Sequence, residues 1–369
     1  QHLCGKGLVI MYNYVHGGDV YSLPEGKKVI DFSANINPLG LPRGVKNALK
    51  AAINVCADYP DPFCRKLTEK LARYHNLEQK YIFLSNGAAD VLFKLALAIK
   101  PGKALLLAPT FADYEKALAT VNCKIDYFGL SAGNDFRVDD SILTKINNDT
   151  DLVIICNPNN PTGQLTEETL LLKILDKCRS TGTYLLVDEC FMDFVDKEKG
   201  FSLKKYLSEY DNLIILKAFT KTYAMAGIRL GYCLTSNEDI IDKCRENGQD
   251  WSVSTLAQAA GLSALDEEDY LTKSKEYIKR ERSYLLQNLH KLGFKVYGSE
   301  ANYIFFAAKN LPRLAEKLKK DGFLIRKCAN YHNLDEHYYR IAVRTTSQNK
   351  LLIKAVRKLL KNENFASNN

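Results

Sequence analysis

Between residues 80 and 235, short apolar runs alternate with amphipathic stretches, and this alternation constrains the fold more than any other feature of the chain. The runs are YIFLS (81–85), ALLLA (104–108), LVIIC (152–156), YLLVD (184–188) and LIILKAF (213–219), the last three separated by about 25 to 30 residues. Helical patterns cover 88–99 and begin again near Phe111. Another opens at Thr166-Glu167-Glu168, where Thr166 suits a cap and the acids suit the positive end of a helix. Strands alternating with helices at this spacing predict an α/β fold with a mostly parallel sheet covered on both faces. Functional groups in such a sheet gather at the carboxyl ends of the strands.

After about residue 250 the texture changes. Residues 254–292 read as one or two long helices, with the acidic stretch 266–269 as the break. Strand-like runs follow at 303–308, 323–328 and 338–343, with a helix over 310–320 and a basic one over 347–361. This is an α+β pattern, and 369 residues at roughly 150 per domain leave room for a second, smaller domain. The net charge of +8 is uneven: residues 271–361 carry +14 and everything else −6. That basic excess suits either a nucleic-acid surface or a domain that receives anionic ligands, although the final helix alone reads most simply as a solvated face. No apolar run reaches the roughly 20 residues of a membrane span. The ten cysteines occur singly, with no CxxC and no histidines at metal-ligand spacing, which points to a reducing, cytoplasmic setting and no metal. The opening residues lack a secretory pattern; Met11 suits a start, and residues 1–10 carry no part of the functional reading.

Four features fall at strand ends. Ser85-Asn86-Gly87-Ala88-Ala89-Asp90 is a small-residue turn into a helix, where backbone N–H groups can approach an anion. Asn157-Pro158-Asn159-Asn160-Pro161-Thr162-Gly163 is a stiff loop that can hold asparagines against a ligand. Asp188-Glu189 closes a buried strand, and a carboxylate there needs a cationic partner: a protonated cofactor ring nitrogen or a structural arginine. Lys221 lies among apolar and small residues, where desolvation lowers an amine's pKa and makes it a nucleophile. Arg229, eight residues on, can supply a fixed charge to a phosphate.

In this order the four motifs resemble the fold-type I pyridoxal-5′-phosphate enzymes, in the class II aminotransferase branch that contains histidinol-phosphate aminotransferases. The resemblance covers nearly the whole chain. It implies the fold-type I transferase fold, with an N-terminal arm (1–45), a large cofactor domain (46–265) and a small C-terminal domain (266–369). It implies that Lys221 joins the cofactor's aldehyde, that Asp188 pairs with its ring nitrogen and that Asn160 bonds its ring oxygen. Gly87, Ala88 and Ala89 with Arg229 would hold the phosphate, Thr220 would assist, and Phe111 would stack on the ring. Tyr59 would reach the neighbouring subunit's cofactor phosphate, which implies a homodimer.

Within that branch, His16-Gly17-Gly18-Asp19, residues 31–40, Cys328-Ala329-Asn330-Tyr331 and residues 338–344 resemble the L-threonine-O-3-phosphate decarboxylase family. That family makes (R)-1-amino-2-propanol O-2-phosphate and CO₂ in cobalamin biosynthesis. Arg340 is then the candidate for the substrate carboxylate. Arg326, Arg344 and His16, assisted by Asn35 and Asn330, are the candidates for its phosphate. A histidinol-phosphate aminotransferase is the alternative. Two residues depart from the wider pattern: Phe191 stands where many relatives carry a tyrosine, and Ala218 where a serine or threonine is common. A metabolite with two anionic groups accounts for the basic residues on strand-like segments, so neither nucleic acid nor a membrane is expected as a partner.

Overall fold

The computed structural model describes residues 16–21, 26, 29–196 and 200–367; Met11 and residues 1–10 lie outside the described residues. Each of the five apolar runs forms a strand. They join a seven-stranded sheet in the spatial order Ile82–Ser85, Gly231–Leu234, Leu213–Ala218, Tyr184–Asp188, Leu152–Cys156, Lys103–Ala108, Lys124–Gly129. Successive side chains on a strand point to opposite faces, so an uninterrupted apolar run supplies two cores at once. Leu105, Leu107, Val153, Ile155 and Val187 enter one core, while Leu106, Ile154, Leu186 and Ile214 enter the other. Each such fully buried side chain contributes about 1.5–3 kcal/mol. Helices Ala88–Ile99, Asp113–Ala119 and Glu238–Glu246 cover one face. Arg65–His75, Glu168–Ser180 and Thr255–Ala264 cover the other.

Strand Gly231–Leu234 runs antiparallel to both its neighbours, while the other strand pairs are parallel, so the sheet is mostly parallel as expected. A parallel return needs a crossover of about a dozen or more residues that packs across the sheet. Residues 219–230 contain only the one-turn helix Phe219–Thr222 and simply fold back. The expected cap at Thr166 also differs. Helix Glu168–Ser180 has Glu167 at its cap with no side-chain cap bond. Thr166 is engaged instead by Asn157, which donates to its carbonyl at 3.1 Å and accepts from its N–H at 2.9 Å.

The C-terminal part forms a four-stranded antiparallel sheet ordered Arg326–Lys327, Tyr338–Ala342, Tyr303–Ala307, Lys295–Tyr297. Helices Glu268–Lys291 and Thr346–Ser367 pack on it through Ile278, Leu285, Leu352 and Ile353. The acidic stretch 266–269 does separate two helices, Thr255–Ala264 and Glu268–Lys291. Near the other end of the chain, Ile30–Asp31 pairs in parallel with Phe323–Leu324. Among the described residues no helix is long and apolar enough to cross a membrane, and no three His, Cys, Asp or Glu side chains are arranged to hold a metal ion.

The two sheets share a seam. Phe136, 1% exposed, presents its ring edge-on to Tyr297, Phe305 and Tyr338 at centroid distances of 5.0, 5.4 and 5.7 Å. Truncating it leaves a cavity that neither sheet can close alone. Phe136→Ala should therefore cost about 3–5 kcal/mol in urea-unfolding free energy, a magnitude typical of a buried Phe; a loss under about 1 kcal/mol would contradict a seam packed in this way.

Candidate active site

Five strand ends converge on a cavity of about 310 Å³. At its floor the strand Tyr184–Asp188 presents Asp188, 6% exposed. Tyr114 donates to one carboxylate oxygen at 2.6 Å and the Cys190 N–H to the other at 2.9 Å, which fixes the plane of the group. Burial, then the nearby Asp188 charge, raises Tyr114 well above the usual phenol range, so it stays a donor. The arrangement can hold a cation at the floor, as a protonated ring nitrogen would require.

Lys221 projects into the cavity from the one-turn helix Phe219–Thr222, just beyond strand Leu213–Ala218. Burial lowers its pKa from 10.5 to about 8, helped by the Arg340 and Arg229 guanidinium groups and opposed by Cys190 and Asp31. An amine so placed is partly neutral near pH 8 and can act as a nucleophile.

The expected phosphate cradle is built from backbone. Gly87 precedes helix Ala88–Ile99 at φ +91°, with no side chain capping the helix start. A Cβ at Gly87 would lie 2.8 Å from Arg229 Nη2. A Cβ at Gly231 would lie 2.2 Å from the Ala88 nitrogen, so the neighbouring strand needs glycine there for the helix start to come so close. Ala88, Ala89, Thr220 and Arg229 all line the cavity, giving an anion both N–H groups and a guanidinium. These residues fit a phosphate-bearing cofactor.

The stiff loop after Leu152–Cys156 is locked by Asn159, which bonds Thr110, Thr162 and the Pro109 carbonyl at 2.9–3.0 Å. Its neighbour Asn160 thereby faces the cavity, where Arg340 donates to its side-chain oxygen and also, at 2.8 Å, to the Ser33 carbonyl. Arg340 and Arg326 are directly opposite each other on adjacent antiparallel strands, and both line the cavity. Arg326 donates to the Asn330 side chain at 2.7 Å and lies over the Tyr331 ring at 5.2 Å. His16 and Asn35 complete that wall, and Phe111 faces it. His16 bonds Asp113 at 2.9 Å, and its ring is 5.6 Å from that of Phe111. The Asn35 Oδ1 and Arg340 Nε are buried with no hydrogen-bond partner among the described residues, although both residues line the cavity.

Twelve of the sixteen site residues expected from the sequence thus line one cavity. Gly87 lies just behind its wall and Asn330 holds Arg326 from outside. Arg344 does not line it: its backbone N–H donates to Asn349, and its Nε is buried without a partner among the described residues. Tyr59 is 79% exposed and stacks on Trp251, away from this chain's own cavity. Four residues that sequence reasoning did not single out also contribute: Tyr114, Asp113, Ser33 and Tyr331. Asp113, an acid beginning a helix just after Phe111, carries a signal that could have been read, and Ser33 and Tyr331 lie inside motifs quoted above.

Comparison with known proteins agrees with this geometry. Residues 27–356 match the family described as aminotransferase class I and II. A threonine-phosphate decarboxylase of Salmonella typhimurium is 36% identical over 357 residues, covering 95% of this chain and 98% of that protein. The crystal structure of a histidinol-phosphate aminotransferase from Clostridium acetobutylicum superposes with a TM-score of 0.85 at 29% identity, over 90% of this chain and all (100%) of that one. That of an L-threonine-O-3-phosphate decarboxylase from Porphyromonas gingivalis gives a TM-score of 0.79 at 24% identity, over 90% and 100% of the two chains, and shares the fold. The chain has the fold-type I transferase architecture and belongs to the aminotransferase class I and II family.

Proposed function

We propose that this chain is a pyridoxal-5′-phosphate-dependent lyase that decarboxylates L-threonine O-3-phosphate to (R)-1-amino-2-propanol O-2-phosphate and CO₂, a step of cobalamin biosynthesis. The observation that carries this reading is the cross-strand pair Arg326 and Arg340. Like charges directly opposite on neighbouring strands destabilise a sheet. Two of them in one cavity, with Arg229 as a third guanidinium, suit a substrate that brings two anions besides the cofactor's phosphate. Threonine phosphate has a carboxylate and a phosphate. The full-length similarity to a threonine-phosphate decarboxylase supports the same substrate, and the single cysteines fit a reducing, cytoplasmic setting.

Pyridoxal phosphate, when bound, supplies an aldehyde for an amine and a protonated ring that takes up the electrons of a breaking bond. Asp188 would hold the proton on that ring nitrogen, and Asn160 would bond the ring oxygen. Phe191 leaves Asn160 without the second donor that a tyrosine would add there. Arg340 is fixed on two sides by Asn160 and Ser33, so it holds the substrate carboxylate in one orientation. Holding the carboxylate in one orientation would favour loss of CO₂ over loss of the Cα proton. Arg326, braced by Asn330 and Tyr331, takes the substrate phosphate with His16 and Asn35. Lys221 Nζ, or a water beside it, would return a proton to the carbon that CO₂ leaves.

A second reading, transamination of histidinol phosphate, is favoured by the close structural likeness to an aminotransferase. Histidinol phosphate carries a phosphate and no carboxylate, so in that half-reaction it would bring an anion to only one of the facing arginines. Purified protein with pyridoxal phosphate should release CO₂ from threonine phosphate without an added oxo acid. Turnover of histidinol phosphate with 2-oxoglutarate, and none of threonine phosphate, would overturn the decarboxylase reading.

The pKa of Lys221 sets a second expectation. The neutral amine is the reacting form, so covalent capture of pyridoxal phosphate should accelerate as pH rises and level off just above about 8. Capture that keeps climbing toward 10.5, the ordinary lysine value, would show the amine to be unperturbed.

The enzyme is proposed to work as a homodimer. Tyr59 and Trp251, 79% and 46% exposed, stack at 4.5 Å, an exposed aromatic pair suited to a second copy. Light scattering should give the dimer mass, and Tyr59→Ala should release pyridoxal phosphate more readily. A monomer that retains the cofactor fully would count against both.

A further inference from the structure

Leu216 and Ala218 line the cavity, so Lys217 between them on the same strand points to the opposite face of the sheet. There its side chain is 4% exposed. A lysine so deep costs several kcal/mol unless it is paired. Its Nζ lies 3.0 Å from Asp193 Oδ1 and 3.7 Å from the fully buried Glu189. Ser202 donates to Glu189 at 3.0 Å. The other oxygen of Asp193 accepts from the Thr222 hydroxyl at 2.8 Å.

The two ends of this network are sequence neighbours of the two residues at the centre of the site. Glu189 follows Asp188, and Thr222 follows Lys221. Lys221 rides on a helix of one turn, which has no length of its own to hold it still. Its other tethers are uncharged: the Phe219 N–H donates to the Leu230 carbonyl and the Ala224 N–H to the Lys221 carbonyl. Asn37 donates its side-chain N–H to the Thr222 carbonyl at 2.8 Å and its backbone N–H to the Lys221 carbonyl at 3.3 Å. Asp193 is thus the charged anchor of that turn, and Lys217 holds the anchor in place.

We propose that Asp193 and Lys217 are positioning residues for Lys221: through Thr222 they clamp the one-turn helix so that the amine stays inside the desolvated, cationic cavity. The proposal rests on the assignment of Lys221 as the reacting amine. It does not require the substrate to be threonine phosphate. The Lys217 ammonium holds Asp193 below the usual carboxylate range against the opposing effect of burial, so the anchor is a charged one.

The sign of one effect separates positioning from simple electrostatics. Arg340 and Arg229 face Lys221 and lower its pKa, while Cys190 and Asp31 raise it. Removing the negative charge of Asp193 would by Coulomb's law alone lower the Lys221 pKa further. Release of the clamp lets the amine reach water and raises it toward the ordinary value.

The test uses the full chain and the variants Thr222→Val, Thr222→Ser and Asp193→Asn. Lys221 is labelled with trace acetic anhydride across a pH series and quantified by mass spectrometry before pyridoxal phosphate is added. kcat and KM follow after loading. In the wild type the labelling midpoint should lie at about 8. Thr222→Val and Asp193→Asn should move it upward and lower kcat on the order of 10-fold with little change in KM, a modest share of what a misplaced reacting group can lose. Thr222→Ser, which keeps the hydroxyl, should behave as the wild type. A wild-type midpoint and kcat in Thr222→Val would overturn the proposal, and so would equal impairment of Thr222→Val and Thr222→Ser. If Asp193→Asn does not fold, the Thr222 pair decides the matter. If the chain decarboxylates nothing, the labelling midpoints still do.

Discussion

The Asp188 carboxylate sits at the end of a strand in the middle of the large sheet, where an unpaired charge would cost several kcal/mol. The surroundings are organised around meeting that cost. Tyr114 reaches across from helix Asp113–Ala119 and the Cys190 N–H from the following turn, so both oxygens are held before any ligand arrives. The cavity above is then left with a cationic excess: Arg229, Arg326 and Arg340 line it together with the half-buried Lys221. Two acids, Asp188 at the floor and Asp113 paired with His16, sit among several bases, an arrangement suited to phosphates and carboxylates. The charge pattern along the chain, +14 over residues 271–361, has its functional part on two short strands, and the exposed face of the final helix takes no part in the cavity.

Much of this is legible in the sequence because the functional side chains interrupt apolar patterns. Asp188 closes YLLV and Lys221 lies among Ala, Phe and Thr, so each stands out against residues that only pack. Glycines before a helix and prolines around asparagines mark where backbone must meet a ligand. The residues that escape notice are those whose type suits the core anyway. Tyr114, fully buried on the inner face of its helix, reads as packing until its hydroxyl is found 2.6 Å from Asp188. Arg344 shows the converse: its residue type fits an anion site, but its position beyond the end of strand Tyr338–Ala342 leaves it outside the cavity lining. The fold-back of Gly231–Leu234 is likewise a matter of connection length, which an apolar run cannot report by itself.

The floor of the site has two sides. Above it lie the groups that meet the ligand, and below it lies a buried ionic network of Lys217, Glu189 and Asp193. A strand that alternates its side chains joins these two regions residue by residue, so a change on the dry side of the sheet is felt on the wet side without any contact to the ligand. This is the reason a buried ion pair, which adds little to net stability, can still be worth keeping.

The pairing of Ile30–Asp31 with Phe323–Leu324 has a further consequence. Ser33 and Asn35 follow the first of these strands directly, and Arg326 follows the second. Segments almost three hundred residues apart are therefore riveted into a single jaw that carries one whole wall of the cavity. The opposite jaw, with Lys221, Asp188 and the phosphate cradle, comes from the middle of the chain. That wall therefore depends on contacts between segments far apart along the chain, whereas the opposite one does not.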